Sequence, residues 1–93
     1  MPFFVYMIIS KIKNRHISYV GYTNNLNHRL SLHNSSKGAK FTKGNNWKLA
    51  YFEKYSTKKL AMKAEYKLKK NYLLRKKIKK NFLKDENINT TSI

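Results

Sequence analysis

A single stretch of this sequence, residues 19–34, reads YVGYTNNLNHRLSLHN and holds a strand end, a bend and a helix start. The β-forming residues over 17–21 predict a strand, and we expect Gly21 to end it because the chain must bend sharply there. Residues 23–25 carry side chains that cap helix N-termini, and two leucines one turn apart predict a helix over 26–33. The stretch therefore predicts a strand that leads directly into a helix.

Apolar runs, alternation and turn residues divide the rest of the chain in the same way. The predicted elements are a buried strand over residues 3–9, a hairpin loop over 10–16, a loop over 34–46, a third strand over 47–55, a helix from Lys58 to about Lys70 and a further helix over 72–84. The order β-β-α-β-α, with a possible third helix, predicts an α+β fold: a three-stranded antiparallel sheet flanked by helices. We expect one domain over residues 1–84 and a frayed polar tail over 85–93.

Two of these elements carry patterns that predict which side faces the core. In the third strand, four residues are expected to share one face, interrupted by Glu53. They are Trp47, Leu49, Tyr51 and Tyr55. In the helix that follows, residues at helical spacing are expected to form an apolar stripe. They are Leu60, Ala61, Ala64 and Leu68.

The net charge of +17 on 93 residues is the strongest compositional feature. A basic surface attracts polyanions, which predicts nucleic acid as the partner, with an anionic membrane surface as the weaker alternative. No apolar run approaches the ~18 residues that span a bilayer, and residues 1–9 lack the basic flank of a signal peptide, so we expect no membrane insertion. The absence of cysteine excludes disulfides and thiolate zinc sites and fits a reducing, cytoplasmic location. The oligomeric state is left open between a monomer and a weak dimer.

Codon bias in an AT-rich genome would also raise the lysine count, so the rarer residue types are more informative. The arginines are Arg15, Arg29 and Arg75, and the acids are Glu53, Glu65, Asp85 and Glu86. An arginine and a glutamate retained inside the predicted domain are therefore better candidates for a function than any single lysine.

Four side chains around the strand-to-helix stretch can handle a proton or a phosphate. Tyr6 and Tyr19 fall on adjacent predicted strands, and a phenol acts as a general base only if a cation or a metal-bound water eases its deprotonation. Arg29 and His33 are four residues apart and share a helical face, where the planar guanidinium suits a phosphate. The alternatives are two core aromatics, a solvated arginine and a histidine that favours the helix dipole at the C-terminal end.

Glu65 lies beside the apolar stripe of the predicted helix, and Glu53 is the other acid before the tail. A lone carboxylate can bind Mg²⁺, because that ion keeps several waters and takes phosphate oxygens of the substrate as further ligands. The alternative is an ion pair with Lys69, worth only ~0.3–0.5 kcal/mol on an exposed helix. A two-metal site is not expected with so few carboxylates.

The loop KGAKFTK, which begins at Lys37, places one aromatic residue among cations. Lys37, Lys40 and Lys43 are expected to contact a phosphate backbone, together with Lys69 on the helix. Phe41 is expected either to stack on a base or to plug the core. The alternative is a solvated loop.

Taken in order, these motifs resemble the GIY-YIG nuclease superfamily, in particular its small single-domain branch. Phe4-Val5-Tyr6 corresponds to the first motif, without its Gly and Ile, and Tyr19-Val20-Gly21 corresponds to the second. Residues 19–34 are similar to the strand-to-helix segment of that family, and residues 37–42 and 65–69 are similar to two further stretches. The resemblance covers nearly the whole chain.

The resemblance implies hydrolysis of a DNA phosphodiester with one bound ion, Mg²⁺ or Mn²⁺. It implies that Tyr19 is the base toward water, Tyr6 a supporting hydrogen-bonding group, Arg29 the phosphate ligand, His33 an accessory residue and Glu65 the metal ligand. We expect a preference for the structure or strandedness of DNA (single-stranded, branched or duplex) rather than for a long sequence. The alternatives are a non-catalytic basic nucleic-acid-binding protein and an enzyme that processes RNA.

Overall fold

The computed structural model describes the backbone of residues 1–91 and the side chains of residues 1–86. The elements, in chain order, are β1 (Phe3–Ile12), β2 (Arg15–Thr23), α1 (Leu26–Asn34), a 3₁₀ turn (Lys40–Thr42), β3 (Lys48–Tyr55), α2 (Lys58–Lys70) and α3 (Tyr72–Thr91). The strands form one antiparallel sheet in the order β2-β1-β3. The predicted α+β fold and the third helix are therefore confirmed.

β1 is the central strand of the sheet, and both of its faces are buried. Val5, Met7 and Ile9 pack on one face with buried residues of α2 and α3. Tyr6 and Ile8 point to the opposite face, where they pack with the leucines of α1. Burial on both faces explains why this strand is a continuous apolar run rather than an alternating one. The sheet therefore separates two apolar layers, one under α1 and one under α2 and α3.

A β-bulge in the pairing of β1 with β3 divides the third strand between these two layers. Met7 pairs with Tyr51 and Ile8 pairs with Leu49, so Ala50 is an extra residue on β3. The prediction that four residues of this strand share one face is wrong, because the bulge reverses the alternation. Trp47 and Leu49 pack in the α1 layer, whereas Tyr51 and Tyr55 pack in the layer of α2 and α3.

The hairpin between β1 and β2 is longer and its turn is tighter than predicted. The strands pair as far as Ile12 and Arg15, so a turn at Lys13 and Asn14 replaces the predicted loop over residues 10–16. The turn residues and Arg15 are exposed. The polarity that indicated a loop therefore reflects the exposure of a strand end.

Side-chain caps start both C-terminal helices. Thr57 caps α2 and Asn71 caps α3, each accepting a hydrogen bond from the backbone N–H three residues further on. Ala61 and Leu68 are buried on the inner side of α2, as predicted. Leu60 is 48% exposed and does not belong to the predicted stripe.

Helix α3 is longer than predicted, since it continues past residue 84 to Thr91. From residue 87 onward, the predicted tail over 85–93 lies outside the residues whose side chains are described. Within the described part of the chain, no helix combines the length and the apolar character needed to cross a membrane.

Candidate active site

The hydroxyl of Tyr6 lies directly over Gly21, the residue that faces it in the pairing of β1 with β2. A Cβ atom at Gly21 would lie 2.5 Å from Tyr6 Oη, closer than real Cβ atoms approach another heavy atom. The predicted bend at Gly21 is wrong, because β2 continues through it to Thr23. Glycine is needed here for the close approach of the tyrosine ring across the neighbouring strand.

Helix α1 supplies two side chains next to this tyrosine. The helix starts at Asn25, whose Oδ1 accepts a hydrogen bond from the N–H of His28 over 3.1 Å, as the sequence predicts. Arg29 and His33 follow one turn apart on the same face. His33 contacts Tyr6 of β1, and the Arg29 charge perturbs the pKa of Tyr6 and that of His33.

A chain of hydrogen bonds links Tyr6 to the loop after α1. Tyr6 Oη lies 2.7 Å from His33 Nε2, and His33 Nδ1 lies 2.8 Å from Thr42 Oγ1. Thr42 Oγ1 lies in turn 2.7 Å from the carbonyl oxygen of Ala39. The side chains in this chain, from Tyr6 to Thr42, belong to buried residues. We call these four residues the Tyr6–Ala39 relay.

The Ala39 carbonyl, at the end of the relay, fixes the direction of each hydrogen bond in it. A carbonyl oxygen only accepts, so the Thr42 hydroxyl donates to Ala39 and must accept from the Nδ1–H of His33. A neutral imidazole that is protonated on Nδ1 has a bare Nε2, which accepts from the Tyr6 hydroxyl. The Tyr6 proton is thereby committed to His33, and only the lone pairs of Tyr6 Oη remain for another partner.

Burial keeps both aromatic members of the relay neutral. It raises the pKa of the Tyr6 hydroxyl above its usual value of 10.0, and the Arg29 guanidinium opposes this shift. It lowers the pKa of His33 below the usual 6.5, with the Arg29 charge as the second cause. A neutral, fully buried His33 does not act as a cation on the helix dipole, so that alternative is wrong.

Three ionisable side chains act electrostatically on the same hydroxyl. Arg29, Tyr19 and Glu65 all lie near enough to Tyr6 to perturb its pKa. The Tyr19 ring also lies 5.2 Å from the ring of His33, measured between centroids. The five residues that the sequence motifs select are thus linked by a hydrogen bond, a ring contact or electrostatic interaction, although β1, β2, α1 and α2 each contribute to the set. Their catalytic roles remain predictions.

Glu65 is the carboxylate of this group. Its side chain is only 17% exposed, and its Oε1 lies 3.4 Å from Lys69 Nζ, so the ion pair considered as an alternative is present. Among the described residues, no three or more His, Cys, Asp or Glu side chains are grouped to bind a metal. A single, largely buried carboxylate fits one Mg²⁺ or Mn²⁺, because waters and phosphate oxygens can supply the remaining ligands.

Phe41 forms the outer wall of this region. Its ring stacks on Tyr19 with centroids 6.1 Å apart and an interplanar angle of 21°, and the residue is 58% exposed. This exposure excludes the prediction that Phe41 plugs the core. Lys37, Lys40 and Lys43 are exposed on the same loop, and their contacts with nucleic acid remain a prediction.

Trp47 fixes the loop that carries Thr42. The backbone N–H of Trp47 donates to Asn34 Oδ1 over 2.6 Å, and its carbonyl accepts from Asn34 Nδ2 over 3.1 Å. The indole Nε1 donates to the carbonyl of Thr42 over 2.9 Å. Since Asn34 ends α1 and Trp47 precedes β3, these bonds close the loop and hold Thr42 in place.

Two residues that shape this region carry no signal in the sequence, and a third is marked only by its rarity. Thr42 lies in a basic loop, and nothing in the sequence distinguishes its hydroxyl from a solvated one. Gly38 leaves room for the imidazole, because a Cβ there would lie 2.5 Å from His33 Nδ1. Arg75 is distinguished by its rarity, and it lines a groove beside Tyr19.

Comparisons with known proteins agree with the motifs. The family model described as the GIY-YIG catalytic domain matches residues 2–81. A UPF0213 protein from Oceanobacillus iheyensis is 42% identical over 65 residues, which cover 69% of this chain and 74% of that protein. One from Bacillus licheniformis is 46% identical over 69 residues, covering 73% and 68%. A solution NMR structure of a UPF0213 protein from Bacillus halodurans aligns with 83% of this chain and 80% of its own, at 32% identity and a TM-score of 0.45.

Proposed function

Because this chain belongs to the GIY-YIG family, whose catalytic domain is a nuclease domain, we propose that it is a metal-dependent endonuclease that hydrolyses DNA phosphodiester bonds. One observation carries the proposal: the ionisable groups of Arg29, Tyr19 and Glu65, from three different elements, all act electrostatically on the buried hydroxyl of Tyr6. Groups whose pKa is perturbed by both burial and specific charges cluster at functional sites. A guanidinium, a phenol and a carboxylate are suited to bind a phosphate, accept a proton and bind a metal ion.

The direction of the hydrogen bonds in the relay assigns different roles to Tyr6 and Tyr19. Tyr6 donates its proton to His33 and is a poor base, since burial raises its pKa. Its oxygen lone pairs face Arg29, so Tyr6 serves to orient the guanidinium. Tyr19 is only partly buried and is the tyrosine that can take a proton from an attacking water.

Arg29 and Glu65 are assigned to the phosphate and the ion. The planar fork of Arg29 meets two phosphoryl oxygens and stabilises the charge that develops on them. Glu65 would bind one divalent ion, which when bound supplies a Lewis acid for the scissile phosphate and lowers the pKa of a coordinated water. Lys69, which lies 3.4 Å from Glu65, would add a further cation beside a phosphate bound there.

The alternative is a nucleic-acid-binding protein without catalysis. The ion pair between Glu65 and Lys69 favours it, because the carboxylate already has a cationic partner. Both functions use the same charge of +17, so binding alone cannot distinguish them. The distinction rests on whether Glu65 is needed for a bond to break.

A nicking assay with matched glutamate variants tests the proposal. Purified protein is incubated with supercoiled plasmid and with labelled single-stranded, branched and duplex DNA, in Mg²⁺, in Mn²⁺ and in EDTA. We expect metal-dependent cleavage by the wild type, its loss in Glu65→Gln and its retention in Glu53→Gln. Glu53 is the matched control because it is an exposed acid on β3 that hydrogen-bonds Tyr51.

Two results would overturn the proposal. Cleavage by Glu65→Gln at the wild-type rate would remove Glu65 from the site. Tight binding without cleavage of any substrate in either metal would establish the non-catalytic alternative. An RNA oligonucleotide included in each series shows whether DNA is the preferred substrate.

A further inference from the structure

A groove with a volume of about 250 Å³ lies along β2, between Phe41 and the junction of α2 with α3. Its walls are Ser18, Tyr19, Val20, Phe41, Lys69 and Arg75. One wall residue, Tyr19, belongs to the candidate active site, and another, Lys69, contacts Glu65. The groove is therefore continuous with the site, and it combines two cations with an exposed aromatic ring.

Arg75 is held in the groove wall by contacts on its inner side. Its Nε donates to the backbone carbonyl of Leu68 over 3.1 Å, and Leu68 is buried in the core. The Tyr72 ring lies 5.8 Å from the guanidinium carbon. Because the hydrogen bond to Leu68 uses only Nε, the terminal nitrogens keep their N–H donors for two oxygens of a phosphate. This is the geometry of a prepared phosphate ligand rather than of a freely solvated cation.

Phe41 presents one face to Tyr19 and is 58% exposed. Aromatic side chains that stand exposed beside a basic groove are the platforms on which proteins stack nucleobases. A base can stack on such a ring only where it has left its own stack, as in a single strand, a bulge or a frayed end. The ring therefore suits an unpaired nucleotide.

We infer that this groove is a subsite for one unpaired nucleotide next to the scissile phosphate, with its base on Phe41 and its phosphate on Arg75 and Lys69. The inference deepens the proposed function and rests on it, because the subsite is placed relative to a bond that the enzyme cuts. The nucleotide is positioned by stacking and by charge, so the subsite selects unpaired structure and not a base sequence.

Binding measurements in EDTA test the subsite without any cleavage. The probes are a fluorescein-labelled oligothymidylate of roughly ten nucleotides, within the usual site sizes of such proteins, and an abasic strand of equal length and charge. We expect the wild type to bind the oligothymidylate more tightly than the abasic strand. Phe41→Ala should lose roughly tenfold or more in affinity for the oligothymidylate and should bind both strands alike.

Matched controls separate the groove from the general basic surface. Phe52→Ala removes a phenylalanine of similar exposure, 53%, from β3 at the other edge of the sheet, and should keep the preference for bases. Arg75→Gln should weaken binding of both strands more than Arg15→Gln, which removes an exposed arginine at the hairpin end. If Arg75→Gln does not fold, the same comparison of affinities is made between Lys69→Gln and Lys54→Gln, which replaces an exposed lysine.

The subsite is overturned if Phe41→Ala keeps the wild-type ratio of the two affinities. It is also overturned if replacing a groove cation lowers the affinity no more than replacing its control residue does. Because these probes are read without metal, the preference of the wild type for the strand that carries bases is measured whether or not the protein cleaves DNA. Loss of cleavage in the nicking assay and loss of the base preference here are therefore separate outcomes.

Discussion

The hydroxyl of Tyr6 donates a hydrogen bond to Nε2 of His33 across 2.7 Å, inside the α1 layer of the protein. The direction of this bond follows from Thr42, which gives its own proton to Ala39 and takes one from His33 Nδ1. Because the Tyr6 hydroxyl already donates its proton to His33, Tyr6 can influence the reaction only through neighbouring residues. The relay therefore favours Tyr19 as the residue that exchanges a proton with substrate or water.

Replacing Arg29 by lysine tests whether the planar fork is needed. Lysine keeps the charge but offers a single ammonium on a flexible stem, so we expect the cleavage rate to fall by about 10²–10³ with little change in strand affinity. Single-turnover cleavage at saturating protein measures the rate, and Arg15→Lys is the matched control. A wild-type rate in Arg29→Lys would remove Arg29 from the site.

Replacing Thr42 by valine keeps the shape of the side chain and removes the hydroxyl that orders the relay. His33 Nδ1–H and the Ala39 carbonyl then lose their partner, and we expect the free energy of unfolding to fall by about 1–3 kcal/mol. Long-range ¹H–¹⁵N NMR of the imidazole should show protonation on Nδ1 in the wild type and in Thr42→Ser. It should show a changed tautomer population in Thr42→Val. Protonation on Nε2 in the wild type would contradict the assigned direction of the relay.

Stability should depend on the pH through His33. Its folded pKa is lowered by burial, so below about pH 6.5 the unfolded chain binds a proton that the native chain resists. This contribution is complete above the unfolded pKa and is lost as the pH falls, by at most about 1.4 kcal/mol per pH unit. Urea unfolding between about pH 7.5 and about pH 5.5 should show the loss in the wild type and in His28→Gln, an exposed site on α1. An equal slope in His33→Gln would assign the loss to other groups.

A methyl group at Gly21 should disrupt the relay from the neighbouring strand. The new Cβ would meet Tyr6 Oη at 2.5 Å and Cζ at 2.7 Å, and overpacking of this kind costs about 1–3 kcal/mol. In a double-mutant cycle, the cost of Gly21→Ala should shrink when Tyr6→Leu removes the colliding atoms. Equal costs in both backgrounds would show that the glycine serves another purpose.

The sequence predicts most of the fold because its elements depend on local patterns. The cap at Asn25 forms as predicted, and the apolar runs become the strands that they indicate. Gly21 shows where this reasoning fails: a glycine in a strand fits a bend or a close approach, and only the position of Tyr6 decides between them. The bulge at Ala50 has no local pattern either, since it is a property of pairing with β1.

For the candidate site, the sequence predicts the residues that belong to motifs but not the residues that support them. Tyr6, Tyr19, Arg29 and Glu65 are selected by motif order, and in the structure the last three all act electrostatically on Tyr6. Thr42 is not predictable, because its hydroxyl matters only through a hydrogen bond to an imidazole nine positions earlier in the chain. Such bonds depend on the path of a loop that is itself fixed by tertiary contacts.

The bulge at Ala50 divides β3 into two halves, and the alternation of side chains between the two faces of the sheet reverses from one half to the other. The first half supplies Leu49 to the α1 layer, and the second supplies Tyr51 to the layer of α2 and α3. Substitutions in the two layers, such as Trp47→Phe and Ile78→Val, should therefore change the free energy of unfolding additively, as distant sites do. A chain of 93 residues thus contains two apolar layers that can be altered independently, so that the core under α2 and α3 can diverge while the packing around the Tyr6–Ala39 relay is retained.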